Sequence, residues 1–522
     1  MKLNFPKLNK SALAVLTVVF TASFSAQLAA EQHKLHRISA SQALTLMEQQ
    51  QLSSVELTQY YLAQIDKNNQ KGAQIRAIVD INRDAVKLAT RLDAERKAGK
   101  IRGPLHGLPV VLKANIATKD GMPTTAGALA LKGFLTKQDA ELVTQLRAAG
   151  AVILAKSNLS EWANFRGQGS ASGWSLLGGQ TKNPHVLSQS PCGSSSGSGV
   201  AVAADMALLA VGTETDGSIT CPAAVNGVVG IKPTHGAVSG SGIIPIAASQ
   251  DIAGPMARTV ADAALLLDSL ATTMAKAQYG KNLAAMAVVD EAAPPVKKVV
   301  LVRAYDAKFP AIKAMQDKVA AALTAKGIEV QHIDQWNLPE QLGKDELTVL
   351  IYEFKRDLNQ WLIDYQAPKP VNSIAKIVEF NQKKGKAALA FYGQQYLEQA
   401  NQIDLVADAK TYQQALANSK QIASAMLDQY LIKSQADAIL LPATAAAWPI
   451  DHVKGDDYSF GTSTAAAVSG YPSVTIPAGM DGLLPLGLSI VGSNWSEPKL
   501  IQLAAMLEQQ LAVRPSPTFA TK

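Results

Sequence analysis

The chain is 522 residues long, with 48% hydrophobic, 17% charged and 6% aromatic residues. That much apolar material with so modest a charge excludes a disordered chain, and 2 Cys cannot staple a chain of this size into a disulfide scaffold. The formal charge of +7, from 49 Lys+Arg against 42 Asp+Glu, hints at an anionic partner.

The N-terminus weakens that hint. Lys2, Lys7 and Lys10 precede an uncharged run from Ser11 to Ala30, apolar over Ala12–Phe20 and closing on Leu28-Ala29-Ala30 before Glu31. A basic start, a short apolar core and a small-residue exit predict a cleaved secretory signal peptide over residues 1–30, and a periplasmic or secreted mature protein. No Cys lies near the exit, which argues against a lipoprotein. Loss of three Lys and no acid leaves 46 Lys+Arg against 42 Asp+Glu, a mature charge of +4. With no block of five like charges, no nucleic-acid partner is expected. With no second apolar span of 18 residues, no membrane association is expected after cleavage.

Ser53-Ser-Val-Glu56 fits a capping box opening a helix through Ile65, and residues 83–98 read as a charged helix closed by Gly99. Leu108–Leu112 is a buried strand that runs into Lys113. Asp139–Ala149 is a helix stopped by Gly150, and Ala151–Ala155 is the next strand. Residues 166–199 break the pattern, with Gly or Ser at 17 of 34 positions. Trp174, Leu176, Leu177 and Cys192 are interspersed, so the stretch reads as an ordered loop where backbone approaches a ligand rather than as a linker. A small-residue helix follows over Gly199–Leu209, then a strand over Ala210–Gly212, a tight polar turn over Thr213–Ser218 and a strand over Val228–Ile231. Residues 296–304 and 328–334 are strand candidates, and 344–363 and 405–432 helix candidates. Ala438–Leu441, Ser473–Ile476 and Leu486–Val491 are strands, and Ser496–Leu511 a closing helix. Alternation of this kind predicts an α/β fold.

The seven His make no HExxH, the two Cys make no CxxC, and there is no phosphate-binding GxxxxGK[ST] loop. Three serine motifs remain. Gly193-Ser-Ser195-Ser-Gly197 matches the GxSxG nucleophile elbow, although no strand leads into it. Ser373-Ile-Ala-Lys376 matches SxxK without its companion motifs and reads as a helix surface pair. Thr213-Glu-Thr-Asp-Gly-Ser218 is a compact polar turn after a strand. A serine nucleophile needs a base. Lys113, ending a strand that is apolar over five residues, is the best-placed lysine, because burial lowers an amine's pKa.

These residues together resemble the amidase signature family. The resemblance rests on Gly107–Lys113, on Pro191-Cys-Gly-Ser-Ser-Ser-Gly-Ser198, and on Gly212–Ile219 followed by Gly230-Ile-Lys-Pro-Thr234. Ser249–Arg258 and Pro485-Leu-Gly487 add to it. It covers about 40–270 and 430–515, and segments such as Asn158–Arg166, Gly173-Trp-Ser175 and Gly178–Pro184 are similar to the peptide amidases of that family. The resemblance implies a single large α/β/α domain over 31–522 with a central mixed β-sheet and a variable capping region at about 271–429. It implies Ser218 as nucleophile, Ser194 as a bridging serine on a cis peptide bond, and Lys113 as base. It further implies an oxyanion hole of the backbone N–H groups of Thr215, Asp216, Gly217 and Ser218, and no cofactor or metal. The expected activity is hydrolysis of C-terminal peptide amides or similar small amides with release of ammonia, by a monomer or homodimer. The rival readings are a secreted esterase or lipase-type enzyme with Ser195 as nucleophile, and a catalytically silent ligand-binding homologue. The chain departs from the family pattern at Ala114, Glu214, Asp216 and Thr220, where many members carry Asp, Asp, Gly and Arg. Cys192 and Cys221 lie close in sequence to the two serines. They are expected to be buried free thiols, with a disulfide as the alternative.

Overall fold

The computed structural model describes residues 35–289 and 294–521. The predicted signal peptide lies outside the described residues. Ser39–Lys522 forms one compact unit. Its spine is an 11-stranded sheet ordered β1-β3-β2-β6-β8-β7-β12-β13-β11-β9-β10, and β4 (Trp174–Ser175) and β5 (Gly179–Gln180) form a separate two-stranded ribbon. The sheet strands are β1 (Ile78–Ile81), β2 (Pro109–Lys113), β3 (Val152–Ser157), β6 (Leu209–Glu214), β7 (Val229–Lys232) and β8 (Ile252–Ala257), then β9 (Lys298–Val302), β10 (Glu329–Ile333), β11 (Ala438–Pro442), β12 (Ser473–Asp481) and β13 (Leu484–Val491). The sheet is mixed. β3, β2 and β6 run parallel, as do β11, β9 and β10, while the strands from β6 through β8, β7, β12 and β13 to β11 pair antiparallel.

The central strands are buried on both faces, which is why they read as continuous apolar runs rather than alternating ones. The capping box is present, with the Ser53 hydroxyl accepting from Glu56 N–H and the Glu56 carboxylate accepting from Ser53 N–H. Two strands of the main sheet were not legible as strands, and the ribbon β4–β5 lies in what read as a loop. β8 contains Gly254 and Pro255, both breakers of strand propensity. A Cβ on Gly254 would lie 2.0 Å from the Ile231 carbonyl, so only glycine lets β7 and β8 approach. β1 is a four-residue edge strand, too short to show a period.

The middle of the chain joins this framework in two ways. β9 and β10 extend the main sheet beyond β11. The helices Glu340–Asp364, Ile374–Lys384 and Gln395–Gln402 bury Phe354, Leu358, Trp361 and Leu397 against Leu159, Trp162 and Phe165, just upstream of the Gly/Ser loop. That loop is held rather than slack. Arg166, fully buried, pairs with Glu161 at 2.8 Å and donates to the carbonyls of Ala388, Ala390, Tyr392 and Gly393. Among the described residues no helix is long and apolar enough to cross a membrane.

Candidate active site

Lys113 ends β2, flanked by β3 and β6, and its side chain is fully buried. Its Nζ lies 2.8 Å from Ser194 Oγ, 3.0 Å from Ser195 Oγ, 2.9 Å from Thr213 Oγ1 and 3.1 Å from the Thr213 carbonyl. An ammonium has only three protons to share among those four oxygens. Burial pulls the amine down to about 7, against the opposing charges of Asp251 and Glu214. Ser194 follows Gly193 across a cis peptide bond, and its Oγ lies 2.9 Å from Ser218 Oγ. Lys113, Ser194 and Ser218, separated by up to 105 positions, are thus brought into one hydrogen-bonded chain.

The helix after Ser194 runs over Ser196–Ala203, starting within the motif, rather than over the predicted Gly199–Leu209, and Leu209 begins β6. All eight of its residues are buried, so packing overrides the weak helix propensity of Ser and Gly. Ser195 is buried between elements. Its Oγ donates to the Thr213 carbonyl and accepts from Thr213 N–H, so this hydroxyl ties the loop to β6. That is a bracing position and not the exposed tip of an elbow. Ser373 accepts from Lys376 N–H as the cap of its helix, which accounts for the SxxK match.

The turn carrying Ser218 is fixed from several sides. Glu214 accepts from the N–H groups of Ile219 and Thr220 at 2.7 and 2.9 Å, satisfying the start of the helix Thr220–Asn226. Burial raises the Glu214 carboxyl, and the Lys232 ammonium opposes the shift. Gly487 lets β13 press against that helix, since a Cβ there would meet Ala224 Cβ at 2.4 Å. Thr215 donates to Asp251 at 2.5 Å, and Asp251 accepts from the N–H groups of Ile246 and Ala247. Burial pushes Asp251 up to about 7. Asp216 accepts from Ser463 at 2.5 Å and from Thr464 at 2.7 Å. Sequence reasoning gave Asp251, Ser463 and Thr464 no role. The last two lie 247 and 248 positions from Asp216, and no local pattern signals a contact of that range.

Cys192 and Cys221 form a disulfide, with Cα atoms 6.0 Å apart, so the expectation of free thiols is corrected. The two serine loops converge, and that convergence brings the sulfurs together. Both half-cystines, with Gly193 and Gly217, line a cavity of about 280 Å³ that also touches Trp448 and Tyr458. A second cavity, of about 400 Å³, meets the turn from the Thr213 and Thr215 side. Among the described residues no cluster of three or more His, Cys, Asp or Glu side chains is placed to hold a metal ion.

The family described as Amidase matches residues 56–501. The chain is 44% identical to the native peptide amidase of Stenotrophomonas maltophilia, with a TM-score of 0.85 over 92% of this chain and 98% of that one. It is 33% identical to an amidase family protein of Bacillus anthracis, with a TM-score of 0.83 over 94% of each chain. It is 35% identical over 489 residues to a probable amidase of Arabidopsis thaliana, covering 90% of this chain and 89% of the relative. These likenesses take in the buried strand ending in lysine, both serine loops and the sheet that holds them, and the chain belongs to the amidase family, as a hydrolase of amide C–N bonds.

Proposed function

We propose that this protein is an exported amidase that removes the C-terminal amide of peptides, or the amide of similarly small substrates, with Ser218 as nucleophile, Ser194 as proton bridge and Lys113 as base. The observation that carries the reading is the unbroken contact from Lys113 Nζ through Ser194 Oγ to Ser218 Oγ, at 2.8 and 2.9 Å. A neutral amine has a lone pair to accept a proton, and a buried lysine held down to about 7 is substantially neutral at physiological pH.

Ser218 Oγ adds to the amide carbonyl carbon while its proton passes to Ser194 Oγ and the Ser194 proton passes to Lys113 Nζ. The backbone N–H groups of Thr215, Asp216, Gly217 and Ser218 hold the oxyanion of the tetrahedral intermediate. The proton returns through Ser194 to the amide nitrogen, the C–N bond breaks, and ammonia leaves. Water then adds to the acyl-enzyme along the same relay and releases the carboxylic acid. The 44% identity to a peptide amidase supports the substrate class. The basic, apolar and small-residue order of residues 1–30 supports export.

Ser218→Ala and Lys113→Ala are expected to lower ammonia release from peptide amides by about a thousandfold or more, with unchanged circular dichroism. Turnover at the wild-type level by either variant sinks the assignment. A screen of peptide, short aliphatic and aryl amides fixes the preferred class.

A further inference from the structure

The turn that carries Ser218 holds a carboxylate that the reaction just described does not use. Asp216 stands two residues before the nucleophile. Each of its oxygens takes one hydroxyl, Ser463 on Oδ1 and Thr464 on Oδ2. A carboxylate oxygen has room for two donors, so one acceptor position on each remains. Asp216 lines the 280 Å³ cavity together with Gly193 and Gly217, the residues that precede the two serines, and with Asp456 and Tyr458.

We propose that Asp216 is a specificity-determining residue whose carboxylate accepts a hydrogen bond from a nitrogen donor on the α-carbon of the amide substrate. This rests on Ser218 being the nucleophile. The argument is one of matching groups. The scissile carbonyl oxygen needs donors, and the turn's backbone supplies them. An acceptor beside it calls for a donor on the substrate, and a peptide-like substrate supplies an N–H. A simple aliphatic amide offers none apart from its leaving group, whereas a peptide amide carries an N–H, and an amino-acid amide an ammonium, two bonds from the carbonyl carbon. A half-buried carboxylate left unmatched penalises substrates that lack this donor, which is how a polar group discriminates between substrates.

Two hydroxyls donate to the Asp216 carboxyl, one to each oxygen, which favours its charged, accepting form. Burial raises its carboxyl, while the two hydroxyls and the Lys232 ammonium oppose that rise. The neighbouring carboxyl, Glu346 on the helix Glu340–Asp364, has a single hydrogen bond, from Gln250. Burial and the charge of Asp216 push it up to about 8.

The test compares N-acetylphenylalanine amide with 2-acetoxy-3-phenylpropionamide, which replaces the α N–H by oxygen and keeps the shape. Wild-type kcat/KM for ammonia release is expected to favour the N–H compound by on the order of ten- to a hundredfold. Asp216→Asn, the same size but uncharged, is expected to shrink that ratio at least tenfold. A ratio unchanged in Asp216→Asn overturns the proposal, including the case in which both rates fall together. Calorimetric binding of the two compounds to Ser218→Ala protein reads the preference without turnover and with Asp216 intact. Equal affinities there also overturn it. If wild type releases ammonia from neither compound, the peptide-amide reading of the substrate fails, and the binding ratio alone decides the role of Asp216.

Discussion

A lysine serves as a base only while its amine is uncharged, and an amine in water at pH 7 is almost wholly protonated. Lys113 escapes this because no water reaches its nitrogen and because the facing oxygens of Ser194, Ser195 and Thr213 belong to neutral groups. The carboxylates that favour its charged form, Asp251 and Glu214, reach it only at a distance. Activity should therefore rise with pH as Lys113 loses its proton, with kcat/KM climbing through a midpoint near 7 and levelling above it. A pH–rate profile flat between pH 6 and 9 contradicts the lysine's role as base. The sequence showed part of this, because five apolar residues ending in lysine mark a strand that carries its amine into a dry interior. Of the partners of Lys113, Ser194, 81 positions away, was legible only through resemblance, and Thr213, 100 positions away, was not legible at all.

At the scale of elements, the two serine loops are each followed by a short buried helix, Ser196–Ala203 and Thr220–Asn226. The sequence pattern placed a helix after the first of them, at Gly199–Leu209, and chain breakers hid its start and β8. What no pattern showed is how the loops are held to one another. Three links do so: the contact between Ser194 and Ser218, the Ser195 N–H donating to the Ser218 carbonyl, and the Cys192–Cys221 bridge. The bridge closes a loop of sequence separation 29. Loop-closure entropy for that length gives about 3.5 kcal/mol of stabilisation. In a chain this long that is a thermal shift of a few degrees. Replacing both cysteines by alanine should lower the melting temperature by that amount. It should also lower kcat more than it raises KM, because the bridge spans residues that flank both serines. An unchanged melting temperature and kcat would show that the hydrogen bonds alone set the loop geometry.

At the scale of the whole molecule, the segments that resemble the family lie at both ends of the sequence and meet in one sheet. β9 and β10, from the middle of the chain, extend that sheet beyond β11, and the helices after them pack over Phe165 and bring Glu346 next to Gln250 and Asp216. We propose that this middle region controls which substrates reach Ser218. The charge follows the same logic of position. Three of the lysines behind the formal +7 lie in residues 1–30, and their removal leaves +4. A disulfide between Cys192 and Cys221 persists in oxidising compartments and is rare in the cytosol. The proposed export and the bridge are therefore linked: a chain kept in the cytosol should carry both sulfurs as thiols. Full-length protein made in a bacterial host should be recovered from the periplasm or medium with an N-terminus at or near Glu31 and with no free thiol when denatured without reductant. A variant lacking residues 2–30 should stay in the cytosol with two free thiols per chain and melt a few degrees lower until it is oxidised. An intact Met1 on the full-length product, or a fully formed bridge in the truncated cytosolic protein, would separate the disulfide from export and remove the support each lends the other.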